Sequence, residues 1–322
     1  TGYSNSYSVN QSIYSAANPS SPTVNAAYSN ASLFRKDADF VFDLRPPALE
    51  KIYNPPAWLH LGPKLKHVIE ADVQYEYVTG INAFNKIIHF DQTDILSDTN
   101  QATISITNRL YRKDKSGNVN EIFSWRLSQA RYFDPTFGGA VISGPAGVGA
   151  RNVVLEAAEL TSFTFLDGPR NSSPVVSYLS VSPYPFISFN WRADYDPRRG
   201  KFVDQTYSLN VRHGKLFGSV SDSAITTIPV LLPEANQVTL SGGYGSTNRA
   251  GWNVAGLVDY DRISGNRLYD FIQGSYNTNC CGFSVQLRQF NLGIRNDNQY
   301  LFSFSVANIG TFGSLQRQER IF

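Results

Sequence analysis

The chain has 322 residues, a formal net charge of +2, 42% hydrophobic residues and only 17% charged residues. The charged share lies below the ~25% of an average soluble domain, and the small net charge gives no reason to expect a nucleic-acid partner. No apolar run approaches the ~20 residues that a membrane-spanning helix needs. A spanning helix is excluded, whereas a transmembrane β-barrel is not, because its strands carry only a weak alternating signal.

Segments in which apolar and polar residues alternate predict strands with one apolar and one polar face. In chain order, the clearest lie at 71–77, 103–110, 123–128, 187–192, 207–212, 283–288 and 300–307. Turn-forming residues separate them, as in DPRRG at 196–200. With the weaker segments included, the pattern predicts about 14 antiparallel strands and no helix. Long connections are expected near 46–66, 81–99 and 133–150.

Three features favour a membrane barrel over a soluble sandwich or β-solenoid. The apolar faces carry Tyr, Phe and Trp near strand ends, as interfacial girdles do. The opposite faces carry Arg, Asn, Gln and Glu within the strands, which suits a wet interior better than a dry core. Finally, the number of consecutive strands exceeds what a single sandwich uses. The fold class predicted is therefore an all-β, antiparallel outer-membrane β-barrel.

Four stretches are more specific than an alternation of apolar and polar residues. They are FDLRPPALEKIY (42–53), the segment 64–111 with its FDQTDILSDTNQ run, SWRLSQARYFDP (124–135), and the close of the chain from YNTNCCGFSVQL onward. These stretches resemble the barrel part of the LPS-assembly protein (LptD) family, also called organic solvent tolerance proteins. The similarity extends over most of the chain from about residue 40. The FDQTDILSDTNQ run and the adjacent cysteines are specific, whereas the alternating strands between them are not.

The resemblance implies an outer-membrane barrel of about 26 strands that moves lipopolysaccharide to the outer leaflet. It also implies a preceding periplasmic jellyroll, a plug lipoprotein like LptE inside the barrel, and contact with the periplasmic Lpt bridge. It implies no enzymatic activity, cofactor or metal. At ~20–24 residues per strand and connection, 322 residues form about half of such a barrel. We therefore expect the C-terminal barrel half, without the jellyroll, as an open sheet with edges near 3–15 and 299–309.

Two sets of barrel residues are candidates for a role in transport. The resemblance implies a lateral seam between the first and last strands, which makes Tyr300, Phe302, Phe304 and Val306 one lip. Lipopolysaccharide sugars would pass through the lumen, and acyl chains would leave through the seam into the outer-membrane lipid. Five arginines alternate toward the proposed lumen: Arg109, Arg126, Arg192, Arg212 and Arg288. Either a wet lumen satisfies their charge, which we favour, or they attract phosphorylated parts of the lipid.

The only two cysteines of the chain, Cys280 and Cys281, are adjacent. Neighbours on an extended strand point to opposite faces, so a bond between them is not expected. If the C-terminus is periplasmic, the pair lies at the periplasmic mouth, in an oxidising compartment. The resemblance implies two disulfides to cysteines outside this chain. Two free buried thiols are the alternative, and a zinc site lacks further ligands at a suitable spacing.

Two other functions compete with a lipopolysaccharide translocon. One is a passive diffusion porin with a closed barrel of 14 or 16 strands, against which the cysteine pair and the long stretch 46–66 argue. The other is a soluble surface-adhesion β-protein. No P-loop, nucleophile elbow or HExxH motif occurs, so the sequence predicts no enzyme.

Overall fold

A computed structural model describes residues 2–3, 7–9, 26–28, 33–34, 36–59, 61–81, 96–143, 160–228, 232–245, 250–292, 295–307 and 309–315. Nearly all of the regular structure is β. The strands are β1 Gly2–Tyr3, β2 Tyr7–Val9, β3 Ala26–Tyr28, β4 Leu33–Phe34, β5 Ala38–Leu44, β6 Leu49–Tyr53, β7 Lys64–Thr79, β8 Thr99–Lys113, β9 Val119–Tyr132, β10 Val175–Tyr184, β11 Ile187–Asp196, β12 Lys201–His213, β13 Leu216–Ile225, β14 Ala235–Tyr244, β15 Gly251–Asp261, β16 Asn266–Asn277, β17 Cys281–Leu292, β18 Arg295–Val306 and β19 Gly310–Gly313. One short 3₁₀ turn spans Ala57–Leu59. Among the described residues, no helix has the length and apolarity needed to cross a membrane.

Fifteen strands form one antiparallel sheet in which β7 to β19 follow one another in chain order. The short strands β5 and β6 pair with successive parts of the same edge of β7. Among the described strands, none joins β5 or β6 to β18 or β19, so the sheet is open. This confirms the expected open, all-β portion of a barrel.

The two edges differ in part from those expected. The edge predicted near 3–15 is instead formed by β5 and β6. The first four strands form two separate two-stranded sheets, β1 with β4 and β2 with β3, while residues 4–6 and 10–15 lie outside the described residues. At the other edge, a final strand that the sequence did not suggest, β19, pairs with residues 303–306 of β18.

The connections at the two ends of the sheet have different lengths. One end, here called the short-turn end, carries the connections 114–118, 185–186, 214–215, 245–250, 278–280 and 307–309, none longer than six residues. The opposite end, called the long-loop end, carries the three long connections 80–98, 133–174 and 226–234 together with the short ones 197–200, 262–265 and 293–294. Bacterial outer-membrane barrels show the same asymmetry, with short turns on one side of the membrane and longer loops on the other.

The two faces of the sheet have reversed polarity compared with a soluble protein. In β17, Phe283, Val285 and Leu287 are 51%, 39% and 42% exposed. The alternating residues Ser284 and Gln286 are only 1% and 0% exposed. We call these the outer face and the inner face. None of the described strands forms a second layer over the sheet.

The cross-strand register carries the same polarity from strand to strand. On the inner face, Ser105 lies opposite Ser128, and their hydroxyls are 2.8 Å apart. On the outer face, Phe189 lies opposite Leu209, and Leu209 opposite Val220. Alternation of side chains along each strand and register between strands thus give one continuous apolar surface.

A charge should be tolerated on only one of these faces. We expect Leu209→Arg, at mid-strand on the outer face, to lower the free energy of folding into lipid vesicles by about 2–4 kcal/mol. Ser188→Arg, on the inner face of the neighbouring strand, should be nearly neutral. Denaturant titrations of both variants in vesicles measure the difference. A larger loss for Ser188→Arg would reverse the assignment of the faces.

Candidate functional site: a polar interior behind an aromatic-rimmed outer face

Hydroxyl and amide side chains line the inner face of the last strands. Ser275, Ser284 and Ser303 form one cross-strand row, and Gln273 lies opposite Gln286 in the next. All five are at most 3% exposed. The amide atoms of Gln286 have no hydrogen-bond partner in the described part of the protein. Buried amides require partners, and a hydrated interior provides them as water.

The register places the five arginines of the sequence prediction on this inner face, but not in one cluster. Arg109 binds the carboxylates of Glu70 and Glu121, each at 2.9 Å, across three adjacent strands. Arg126 donates to the hydroxyls of Ser105 and Ser128 at 3.1 and 3.2 Å. Protein groups therefore already satisfy part of the charge and hydrogen-bonding capacity of these two side chains.

The other three arginines lie farther along the sheet. The guanidinium of Arg212 stands 5.6 Å from the ring centre of Phe217. Arg192 lies opposite Thr206, and Arg288 lies opposite Phe271. The five arginines are thus spread along the inner face and do not form one cluster.

Segments of the long connection between β9 and β10 fold against the inner face at the long-loop end. Residues 133–143 and 160–174 contribute to a core whose rings are Tyr132, Phe137 and Phe165, with centroids 5.1–5.3 Å apart. We call these two segments the cap. Their hydrogen bonds continue the sheet, since Tyr132 N donates to Asn171 O and Ser173 N to Ala130 O, both at 2.9 Å.

A buried ion pair fixes the cap to the sheet. Arg170, in the cap, donates two hydrogen bonds to Asp196, at the end of β11, with distances of 2.8 and 3.1 Å. The side chains are 4% and 0% exposed. Arg199 also binds Asp196 and reaches Asp167 at 2.9 Å. A bidentate pair of this kind fixes orientation as well as distance.

A strained turn shapes the start of the cap. Phe137 is the one described non-glycine residue with positive φ, at 50°, and its ring is buried in the cap core. Asp134 accepts hydrogen bonds from Thr136 N at 2.9 Å and from Gly138 N at 2.8 Å. Burial raises the pKa of Asp134, but the hydrogen bonds from the Thr136 hydroxyl and from these backbone groups lower it by more. The net pKa of Asp134 therefore lies below its ordinary value. The ionised Asp134 carboxylate therefore stabilises the turn fully at a pH above its ordinary pKa. This stabilisation is lost as the pH falls through the lower pKa of Asp134 in the folded protein.

Aromatic residues border the apolar outer face at both ends. At the short-turn end, one cross-strand row runs unbroken through β15 to β19 and consists of Trp252, Tyr276, Phe283, Phe304 and Phe312. At the long-loop end, Tyr195 packs edge-on against Phe202, and Trp191 stacks on Tyr207 farther toward the middle of the same two strands. Aromatic rings at both limits of an apolar band mark the two interfaces of a membrane.

The two cysteines lie where the turn after β16 meets the start of β17, at the short-turn end. They are free thiols with their sulfur atoms 2.8 Å apart. The expectation that they point apart fails because Cys280 lies in the turn and only Cys281 begins the strand. The hydrogen bond from the Cys281 thiol, with a second contact to Thr278, lowers the pKa of Cys280. An exposed thiol with a lowered pKa is suited to disulfide exchange.

In the described part of the chain, no group of His, Cys, Asp and Glu could hold a metal ion.

The proposed seam residues lie on β18, at the open edge. Tyr300, Phe302 and Phe304 are on the outer face and are 76%, 57% and 47% exposed. β19 covers the edge of β18 from Ser303 to Val306. Tyr300 therefore lies beside the uncovered part of this edge, while β19 forms the outermost strand beside Phe304 and Val306.

Sequence reasoning missed the cap and its anchor. Arg170 and Asp196 lie in the two turn-like stretches LDGPRNSSP and DPRRG. The concentration of charge within two otherwise ordinary turns was the available signal. It did not reveal that these turns meet, since this depends on the packing of Phe137 and Phe165 against β9.

Comparisons with known proteins agree with this geometry. The family model described as LptD, LPS transport system D, matches residues 57–249, which is more than half of the chain. The chain belongs to the LptD family. The LPS-assembly protein LptD of Coxiella burnetii (strain RSA 493 / Nine Mile phase I) is 23% identical over 166 residues, covering 44% of this chain and 19% of that protein. The matched region thus spans about a fifth of the length of this curated relative. Membership in the LptD family and the strand-rich fold together support an outer-membrane protein.

Removing the carboxylate that anchors the cap should weaken it strongly. Asp196→Ala leaves Arg170 buried without its partner, and we expect a loss of about 3–5 kcal/mol in the free energy of unfolding. The cap, residues 133–143 and 160–174, should also become accessible to protease. Arg198→Ala is the matched control, because its contact with Asp167 is 3.6 Å long and its side chain is 53% exposed. That control should cost at most about 1 kcal/mol, and equal effects of the two variants would contradict a specific anchor.

Proposed function

We propose that the chain is the C-terminal barrel portion of a lipopolysaccharide translocon in the outer membrane. The observation that carries this proposal is the combination of a buried polar inner face, an apolar outer face and LptD family membership. Sugars are hydrophilic and would travel along the inner face, while acyl chains remain in contact with lipid. The chain acts as a conduit and not as an enzyme, and the energy for movement is supplied elsewhere.

The open sheet supports a place within a larger barrel. Unpaired backbone groups are costly in lipid, because no water is present to satisfy them. Further strands of the same protein would therefore pair with β5 and β6 at one edge and with β18 and β19 at the other. The second junction would be the lateral seam, with Tyr300, Phe302, Phe304 and Val306 beside it. A preceding jellyroll, an LptE-like plug and the periplasmic Lpt bridge would complete the assembly.

The unequal connections support an orientation. Short turns in bacterial barrels face the periplasm, so the short-turn end and the C-terminus would be periplasmic. The cap would then lie at the cell surface and cover the lumen from outside. Cys280 and Cys281 would face the oxidising periplasm.

Photocrosslinking in cells tests the proposed path of lipopolysaccharide. A crosslinking amino acid at Ser188 or Asn210, on the inner face, should capture lipopolysaccharide when the whole protein is expressed in its membrane. The same residue at Leu209, on the outer face of the same strand as Asn210, is the matched control and should capture mainly phospholipid. Capture of lipopolysaccharide several times more at Leu209 than at both inner positions would contradict the path.

Mass mapping of non-reduced peptides tests the proposed role of the thiols. In the whole protein isolated from cells, Cys280 and Cys281 should each be joined to a different cysteine outside this chain. Ser replacements of both should leave the strands intact, since neither side chain is part of a buried core. A bond between Cys280 and Cys281, or two free thiols in functional protein, would contradict this assignment.

A further inference from the structure

Cations stand over aromatic rings at one end of the sheet. Among the described residues, four such pairs occur, and all four lie at the short-turn end. Three of them are on the outer face. Lys51 Nζ is 5.3 Å from the Tyr53 ring, Arg112 Cζ is 5.8 Å from Tyr184, and Lys215 Nζ is 5.6 Å from Tyr244. We call Lys51, Arg112 and Lys215 the cationic rim.

The register places Lys51 on the outer face, together with the rings over which Arg112 and Lys215 stand, since Tyr244 lies opposite Leu216. Lys51 lies opposite His67, which lies opposite Leu110, in the same alternation as Ile104 and Ile106. Tyr184 lies opposite Ile187, and Ile187 is on the same face of β11 as the outward Phe189, so the Tyr184 ring also faces outward. The rim is therefore at the border of the apolar outer face and at the same end as the aromatic row from Trp252 to Phe312.

The rim is not neutralised by nearby acids. On the outer face, the three outward positions of each long strand nearest the short-turn end contain no described carboxylate. Asp114, in the adjacent turn, accepts hydrogen bonds from Asn118 of its own turn, at 2.8 and 3.1 Å. Arg112 donates to Pro183 O at 2.8 Å, while its buried Nε has no partner among the described residues.

The long-loop end shows the opposite arrangement. There, Arg262 binds Asp222 at 2.8 Å, and Arg267 lies 3.8 Å from Asp270. Lys201 donates to the backbone oxygen of Thr227 at 2.9 Å. These three cations thus have protein partners, whereas the four cations that stand over aromatic rings all lie at the short-turn end.

We propose that the cationic rim binds the phosphates of anionic phospholipids in the leaflet that surrounds the short-turn end. Headgroups lie at the level of interfacial aromatic rings, and a cation held over a ring keeps its remaining N–H donors available to a phosphate. These contacts would hold the short-turn end at the level of the lipid headgroups, while the apolar outer face sets the depth of the barrel in the hydrocarbon. The inference rests on the proposed membrane placement and goes beyond the transport role.

Lipid selectivity in a bilayer tests this proposal. The whole protein, reconstituted into phosphatidylcholine vesicles, is probed with spin-labelled phosphatidylglycerol and spin-labelled phosphatidylcholine, and the relative association of the two with the protein surface is measured. Wild type should prefer phosphatidylglycerol several-fold, since each interfacial cation favours an anionic surface by about fivefold. The triple variant Lys51→Gln, Arg112→Gln, Lys215→Gln should lose most of this preference. Lys51→Arg and Lys215→Arg should keep it.

A matched triple variant controls for overall charge. Lys201→Gln, Arg262→Gln and Arg267→Gln remove the same number of positive charges at the other end and should leave the preference unchanged. An equal loss of phosphatidylglycerol preference in the two triple variants, or no preference in wild type, would contradict lipid binding by the cationic rim. Neither result would contradict the membrane placement. A stronger rim-dependent preference for lipid A than for phosphatidylglycerol would overturn the assigned lipid. Failure of the protein to enter any vesicle would overturn both the rim and the membrane placement.

Discussion

The need to satisfy every backbone N–H and C=O group within the sheet is the constraint on which the structure depends. A chain that crosses lipid with strands must pair them side by side, because water is not available at mid-membrane. Once the strands are paired, alternation sends every second side chain outward and the others inward. The sequence uses this by placing Phe283, Val285 and Leu287 against lipid and Ser284 and Gln286 on the buried side.

The same constraint explains where the sheet is incomplete and where it is reinforced. Its interior strands are long and fully paired, whereas the edges consist of the short strands β5, β6 and β19. At the long-loop end, the cap covers part of the inner face and is held both by a small aromatic core and by the buried ion pair of Arg170 with Asp196. At the short-turn end, tight turns and an aromatic row leave little chain outside the apolar band. The two ends are thus built for different surroundings.

Much of the sheet could be predicted from the sequence, because alternation is a local signal. Each strand predicted from the pattern, from 71–77 to 283–288, lies within a strand of the structure, and the last one, 300–307, extends one residue beyond the end of β18 at Val306. The short strands β6 and β19 have few alternating residues, so pairing with β7 or β18 decides their state. In β5, by contrast, Phe40, Phe42 and Leu44 alternate with Asp39, Val41 and Asp43, so this strand carries a local signal although it is not among the predicted strands. Strand geometry predicts that the Cys280 and Cys281 side chains point apart, whereas their sulfur atoms are 2.8 Å apart because Cys280 lies in a turn. The cap depends on contacts between residues far apart in sequence, which periodicity does not report.

Spin labels placed one at a time along β17 test the central claim of an inverted sheet most directly. In lipid vesicles, collision with oxygen, which concentrates in lipid, and with a water-soluble nickel complex is measured at each position from Phe283 to Arg288. Oxygen collisions should peak at Phe283, Val285 and Leu287, and nickel collisions should peak at Ser284, Gln286 and Arg288, with a period of two residues. Uniform exposure to nickel on both faces, or peaks in the opposite phase, would contradict an apolar outer face that contacts lipid around a polar interior.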